Sequence, residues 1–80
     1  MTTDEIKPDK SLTIGSVADE LKALDLLQTM AKGQILEIFV GYPLTQERLL
    51  RNAVYRGHKV LKIVRISGPD HKLFIEAKGG

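Results

Sequence analysis

The spacing of apolar residues changes repeatedly along this chain of 80 residues, and those changes constrain the fold more than any other feature. A period of two is typical of strands, whereas recurrence every three or four residues is typical of helices. Taken in order, the pattern predicts β-α-β-α-β-β. The predicted elements are a strand over 11–14, a helix from Ser16 to a stop at Lys32-Gly33, a strand over 34–40, a helix from Thr45 to a stop at Gly57, and strands over 58–66 and 71–78.

Each predicted helix carries one apolar stripe. Spacings of four, three, three and four in the first helix predict a core-facing side. That stripe consists of Val17, Leu21, Leu24, Leu27 and Ala31, and it is widened by Leu26 and Met30. Ser16 is the expected N-cap, with its hydroxyl accepting an amide hydrogen of the first turn. In the second helix Thr45 is the expected cap, and the apolar side is formed by Leu49, Leu50, Ala53 and Val54.

The predicted second strand has two faces. Leu36, Ile38 and Val40 should face the helices, which leaves Ile35, Glu37 and Phe39 on the opposite face. Ile35, Phe39 and, from the last strand, Phe74 should share that uncovered face, whereas a slip of one residue in the register would bury them. An exposed apolar patch of this kind marks a protein contact or a dimer.

Strands flanking two helices on a chain this short predict an α+β fold. The expected architecture is a two-layer sandwich, in which both helices cover one face of a mixed four-stranded sheet. Residues 1–9 lack apolar periodicity and are expected to form a flexible N-terminal tail, followed by one domain over 10–80.

The chain contains no cysteine, which excludes disulfides, zinc-finger spacing and thiol chemistry. A cytoplasmic location is expected, because the N-terminus lacks the apolar stretch of a signal peptide. No glycine-rich phosphate loop is present, and neither His58 nor His71 has metal-ligand neighbours at a suitable spacing. These histidines are expected at the surface or at strand ends, and no metal or cofactor is predicted.

Charge is distributed unevenly between the two halves. Residues 1–40 hold 4 Lys and Arg against 7 Asp and Glu, a net −3, whereas residues 41–80 hold 8 against 3, a net +5. A basic half favours anionic partners, either nucleic acid or an acidic protein face, although solvated surface charge is the more ordinary explanation. The candidate partner-binding residues on and after the second helix are Arg48, Arg51, Tyr55, Arg56 and Lys59.

Several landmarks along the chain occur in the order and spacing of a known family. They are Gly33 with the following Gln34-Ile35-Leu36-Glu37-Ile38, Pro43 after the second strand, Gly57-His58 before the third strand, Gly68 in the last hairpin, and Lys78-Gly79-Gly80. From about Lys10 to Gly80 the sequence resembles the TusA/SirA family of small sulfur-carrier proteins. This resemblance implies the sandwich fold and protein partners in a sulfur-relay or sulfur-oxidation system.

The resemblance fails at the family's most specific motif, Cys-Pro-x-Pro, whose cysteine carries sulfur as a persulfide. Ser16-Val17-Ala18-Asp19 stands in that place, so the cysteine and both prolines are missing. Gly41-Tyr42 likewise replaces the family's Asp-Asp. A helix N-terminus stabilises a thiolate, but a serine hydroxyl cannot hold a persulfide. No catalytic residue is therefore predicted, and Ser16 is expected to act only as a helix cap.

Three functions remain open at this point. The leading hypothesis is a non-catalytic TusA-like protein, monomeric or weakly dimeric, that binds partners of sulfur metabolism. The alternative is an RNA-binding or tRNA-binding module that uses the basic second helix, since the predicted arrangement also resembles the C-terminal domain of translation initiation factor three. An enzyme that uses Ser16 or a histidine is the least favoured, because no adjacent base would activate the hydroxyl.

Overall fold

The computed structural model describes residues 6–41, 43–68 and 70–79, and it confirms the predicted order of elements. These elements are β1 (Lys10–Ile14), α1 (Val17–Thr29), β2 (Ile35–Val40), α2 (Pro43–Tyr55), β3 (Lys59–Ser67) and β4 (Asp70–Glu76). The four strands form one mixed sheet in the order β1-β2-β4-β3. β1 runs parallel to β2, and β4 is antiparallel to both of its neighbours. The predicted α+β class is therefore confirmed.

One face of the sheet carries the hydrophobic core. Leu36 and Ile38 are fully buried and pair with Ile75 and Leu73 of β4, so these four side chains point to the same side. They belong to one buried cluster that also contains Leu27 of α1 and Leu49 and Ala53 of α2. Both helices thus pack on this face, as the alternation in β2 predicts.

The predicted stripe of α1 is wrong in its phase. Val17 is 64% exposed and Leu21 is 58% exposed. Ala31 is also exposed, and it lies beyond the end of the helix. The buried residues of α1 are Glu20, Ala23, Leu24 and Leu27, followed by Met30 just after the last turn. The inward face therefore includes one carboxylate in place of two of the predicted apolar residues.

α1 ends at Thr29, three residues before the predicted stop at Lys32. The backbone of Met30 is extended, and its N–H donates to the carbonyl oxygens of Leu26 and Leu27. The N–H of Ala31 donates to Oε1 of Gln34 at 2.9 Å. The Gln34 side chain thus binds a backbone N–H just beyond the end of the helix.

α2 begins at Pro43, two residues before the predicted cap at Thr45, which lies inside the helix. Proline is favoured in the first turn because its missing N–H has no intrahelical acceptor there. Tyr42 lies outside the described residues. Val54 is 57% exposed, so its predicted core position is wrong. At 100° per residue it stands about 140° around the axis from buried Leu49, whereas buried Ala53 stands about 40° away.

The segment that follows β4 runs between the turns that end the two helices. On one side, the N–H of Ala77 donates to the carbonyl oxygen of Gln34, and the N–H of Gly33 donates to that of Ala77. On the other side, the N–H of Lys78 donates to Nδ1 of His58 at 3.1 Å. Gly57 permits this approach, because a Cβ atom there would lie 2.8 Å from Cδ of Lys78.

Residues ahead of β1 also contact the sheet. Asp9, within the expected tail, donates its N–H to the carbonyl oxygen of Ile35 and accepts the N–H of Ile35 on Oδ2, each at 2.8 Å. Residues 1–5, the first part of that expected tail, lie outside the described part of the chain. No helix among the described residues is long and apolar enough to cross a membrane.

Candidate functional site

Ser16 lies at the exposed N-terminus of α1, in an extended conformation with φ −160° and ψ 172°. Its hydroxyl makes no capping hydrogen bond, so the predicted cap is wrong in that respect. The carboxylate of Asp19 caps the turn in its place, accepting the N–H of Gly15 on Oδ2 at 2.8 Å. An acidic group in the first turn is also favoured by the positive end of the helix. The Ser16 side chain is therefore free for contact from outside.

A groove of about 280 Å³ opens at the same end of the sheet. It is lined by Thr13, Ile14, Phe39, Val40, Gly41, Ile66, Asp70 and His71. Ile14 ends β1 two residues before Ser16, and Val40 ends the neighbouring parallel strand. The exposed side chains of Val17 and Leu21 begin immediately after Ser16. This end of the fold combines an open backbone turn with apolar surface.

Phe39 and Phe74 lie on the sheet face opposite the helices, in agreement with the predicted register. Phe39 pairs with Lys72, and Phe74 pairs with Glu37. Nζ of Lys72 is 5.4 Å from the ring centroid of Phe39 and 5.8 Å from that of Phe74, a distance typical of cation–π contacts. Phe74 is only 7% exposed, so its predicted exposure is wrong.

Polar groups around these rings explain why the apolar patch is not open. Lys72 also forms an ion pair with Oε2 of Glu37 at 3.6 Å, and Oε1 of Glu37 accepts the Ser11 hydroxyl at 2.8 Å. A lysine stem can cover apolar surface while its ammonium group stays paired. These side-chain contacts thus connect Ser11 of β1, Glu37 of β2 and Lys72 of β4 across the sheet face that carries the two aromatic rings.

Arg48, one of the candidates on α2, is held by a buried carboxylate of α1. Its Nε and Nη2 atoms donate to the two oxygens of Glu20, each at 2.9 Å. This bidentate bond and the charge of Glu20 raise the pKa of Arg48. Glu20 is 5% exposed, whereas 54% of the Arg48 side chain is exposed. Arg48 therefore joins the two helices and is not available as an unpaired cation.

The other basic candidates lie at or beyond the C-terminal end of α2. Arg51 and Tyr55 are exposed on its outer side, and Tyr55 is 89% exposed. Arg56 follows the helix and donates from Nη1 to Oε1 of Gln28 at 3.3 Å. Lys59 is exposed at the start of β3. The structure thus separates Arg48 from a group formed by Tyr55, Arg56 and Lys59.

Two adjoining grooves lie at this end of the molecule. The larger, of about 530 Å³, is lined by Gln28, Tyr55, Arg56, His58, Lys78 and Gly79. The smaller, of about 220 Å³, is lined by Lys32, Gly33, Gly57, Lys59, Glu76, Ala77 and Lys78. Sequence reasoning missed Lys32 and Lys78 as members of this group. The two hydrogen bonds of Ala77 hold the turn that carries Lys32 against the segment after β4, and the bond from Lys78 to His58 holds that segment against the turn after α2.

His58 is 6% exposed, so it is a strand-end histidine but not a surface one. Its Nδ1 accepts the N–H of Lys78, while its Nε2 is buried without a hydrogen-bond partner. Burial lowers the pKa of His58, and the nearby charges of Lys78 and Arg56 lower it further. The ring is therefore held in its neutral form, with Nδ1 as the acceptor. Among the described residues, no three His, Asp or Glu side chains are placed to hold a metal ion.

Comparison with known proteins connects this fold to one class of function. No protein-family model matches the chain. A protein of Thermotoga maritima named "Putative sulfur carrier protein" is 36% identical to it over 52 residues. The aligned segment covers 65% of this chain and 66% of that protein, slightly less than two thirds of its length. This similarity supports assignment of the chain to a TusA-like sulfur-carrier family.

The composition of this chain contrasts with the name of that relative. The chain has no cysteine, so it cannot itself hold sulfur as a cysteine persulfide. The Ser16 hydroxyl makes no capping hydrogen bond, and Asp19 in the same turn accepts the N–H of Gly15 and pairs with Lys22 at 3.9 Å. At the start of α1 the chain therefore presents a serine hydroxyl and no thiol.

Proposed function

We propose that this chain is a non-catalytic accessory member of the TusA-like family that binds protein partners of a sulfur-transfer system in the cytoplasm. Ser16 occupies the position of the family's carrier cysteine in this proposal. The chain would act as a monomer or a weak homodimer. Support comes from the sulfur-carrier name of the Thermotoga maritima relative together with the absence of any cysteine here.

The observation that carries the proposal is the exposed surface around Ser16. Val17 and Leu21 expose more than half of their side chains next to it, although apolar residues at these spacings normally turn toward a core. Exposed apolar residues close together at the start of a helix favour contact with another protein. A partner that presents a persulfide to a TusA-like carrier would meet the same surface here without a thiol to receive the sulfur.

Restoring the thiol tests whether this surface still receives a sulfur donor. In the S16C variant, the new thiolate would attack the outer sulfur of a persulfide on a cysteine desulfurase. A sulfur–sulfur bond then forms on the variant, while the bond on the desulfurase breaks and releases its cysteine thiolate. We expect labelled sulfur to appear on S16C, because the helix N-terminus stabilises the attacking thiolate.

The A31C variant is the matched control, because Ala31 is equally exposed but follows the other end of α1. It should receive much less label than S16C. An excess of the wild-type chain should also slow transfer to S16C, because both compete for the donor. If S16C and A31C are labelled equally, or if the wild-type chain does not compete, the proposed partner surface is refuted.

A further inference from the structure

The C-terminal ends of the two helices meet at a concentration of positive charge, which we call the basic end. It consists of Lys32 after α1, Arg56 after α2, Lys59 at the start of β3 and Lys78 after β4. All four side chains are exposed, and none takes part in an ion pair within the described part of the chain. They line the two adjoining grooves, which share Lys78.

Helix dipoles do not account for this charge. Cations near a helix C-terminus offset roughly half a negative charge per helix, so two helices need about one positive charge. The four cations supply +4, and Glu76 is the one acidic residue lining the grooves. After Glu76 and the two helix dipoles are offset, the four cations leave a surplus of about two positive charges. The lowered pKa of His58 agrees with this surplus, because Lys78 and Arg56 contribute to it.

An aromatic ring stands beside these cations. Tyr55 is the last residue of α2 and lines the larger groove together with Arg56 and Lys78. Its 89% exposure is the highest among the large exposed hydrophobic residues. A ring so far out of the core contributes little to folding. Surfaces that bind single-stranded nucleic acid combine exposed aromatic side chains with cations. Bases stack on the aromatic rings, and phosphates pair with Lys and Arg.

From this combination we infer that the basic end binds single-stranded nucleic acid, with phosphates in the grooves and a base stacked on Tyr55. An acidic protein would also use the cations, whereas a single strand uses both features at once, since its phosphates pair with the cations and a base stacks on the ring. This site differs from the predicted one on the outer side of α2, because Arg48 is occupied by Glu20 and Lys32 and Lys78 take part instead.

The inference is independent of the proposed function. Ser16 precedes the first residue of α1, whereas Lys32 follows its last turn. A helix of 13 residues is about 20 Å long. Loss of binding at the basic end would therefore leave sulfur transfer to the S16C variant unchanged. Failure of sulfur transfer to S16C would likewise leave binding at the basic end unchanged.

Fluorescence anisotropy with a labelled short oligouridine at low salt tests the inference on the full chain. We expect measurable binding whose affinity falls with salt, because each neutralised phosphate adds about 0.7 to the slope for single strands. Lys59→Glu and Lys32→Glu should each weaken binding and reduce that slope. Tyr55→Ala should weaken binding roughly five- to 150-fold, the effect of losing one stacked base.

Lys22→Glu is the matched control, because it makes the same change of net charge on an exposed lysine in the first half of α1. It should leave the affinity within about twofold of the wild-type value. Circular dichroism should show that all four variants stay folded. The inference is overturned if oligouridine does not bind, or if Lys22→Glu weakens binding as much as Lys59→Glu. It is also overturned if polyglutamate binds as well as oligouridine and Tyr55→Ala has no effect on oligouridine binding.

Discussion

At the scale of single residues, the start of α1 depends on Asp19 and not on Ser16. The Asp19 carboxylate accepts the N–H of Gly15, whereas the Ser16 hydroxyl makes no capping bond. We therefore expect Asp19→Ala to lower the free energy of unfolding by about 1 kcal/mol, and Ser16→Ala to change it by only a few tenths. Urea denaturation of both variants measures the difference. A larger loss in Ser16→Ala than in Asp19→Ala would contradict the assigned cap.

Residue contacts of this kind are only partly predictable from sequence. Ser16 has the residue type and position of an N-cap, but the choice between its hydroxyl and the carboxylate three residues later depends on the backbone of Gly15. Phe39 and Phe74 were placed on the correct face by alternation alone. The near burial of Phe74 was not, because it depends on an ion pair between Glu37 and Lys72 on two different strands.

At the scale of elements, two leucines of α1 differ in location but not in chemistry. Leu27 is fully buried in the core cluster, and Leu21 is 58% exposed. We expect Leu27→Ala to lower the free energy of unfolding by about 2–5 kcal/mol, because it removes buried methyl groups and leaves a cavity. Domains of ordinary stability have about 5–15 kcal/mol in total, so this loss is large.

Leu21→Ala is the control in the same helix, and its effect should stay within about 0.5 kcal/mol. Guanidinium denaturation followed by circular dichroism measures both variants under one condition. Equal losses of unfolding free energy in the two variants would mean that Leu21 is buried as Leu27 is. The apolar face of α1 would then include Val17 and Leu21, as the spacing in the sequence predicts, and the helix would be rotated relative to the structure.

The phase of α1 could not be read from its own sequence for a physical reason. Val17 and Leu21 fit the helical spacing, and an acidic residue at Glu20 is ordinarily assigned to the solvent side. Burying that carboxylate requires a cation, and Arg48 lies 28 residues away on another helix. A window of one helix contains no information about that partner. The strands were predictable because their alternation depends only on neighbours in the same strand.

At the scale of the whole molecule, His58 connects the α2–β3 turn to the segment after β4, and that connection depends on pH. Folding favours the neutral ring, since Nδ1 accepts the N–H of Lys78 and the pKa of His58 is lowered. The unfolded chain binds the proton more readily, near the ordinary pKa of 6.5. The stability from this contact is therefore present above about pH 6.5 and is lost as the pH falls toward the lower folded pKa.

Thermal melts between pH 7.5 and pH 5 check this expectation, with the melting temperature falling on acidification. His58→Gln should flatten the part of the profile just below neutral pH. His71→Gln keeps the Lys78 contact and should retain the fall, which makes it the control for general effects of losing a histidine. A wild-type profile that is unchanged by His58→Gln would contradict the assigned role of the buried ring.

Prediction of the complete arrangement succeeded for the order of elements and the covered face of the sheet. The candidates named from sequence include Tyr55, Arg56 and Lys59 but not Lys32 and Lys78, because Lys32, Arg56, Lys59 and Lys78 are spread over 47 positions of the chain and meet only in the folded state.

The strand order β1-β2-β4-β3 has a consequence for the synthesis of the chain. A ribosome that has delivered everything through β3 has produced both neighbours of β4 but not β4 itself. Until then β2 and β3 each present an unpaired edge, the kind of surface that recruits strands from other molecules. The charged side chains of Lys59, Lys62 and Arg65 lie along one of these edges. Their like charges would discourage contact between nascent chains until β4 pairs with β2 and β3.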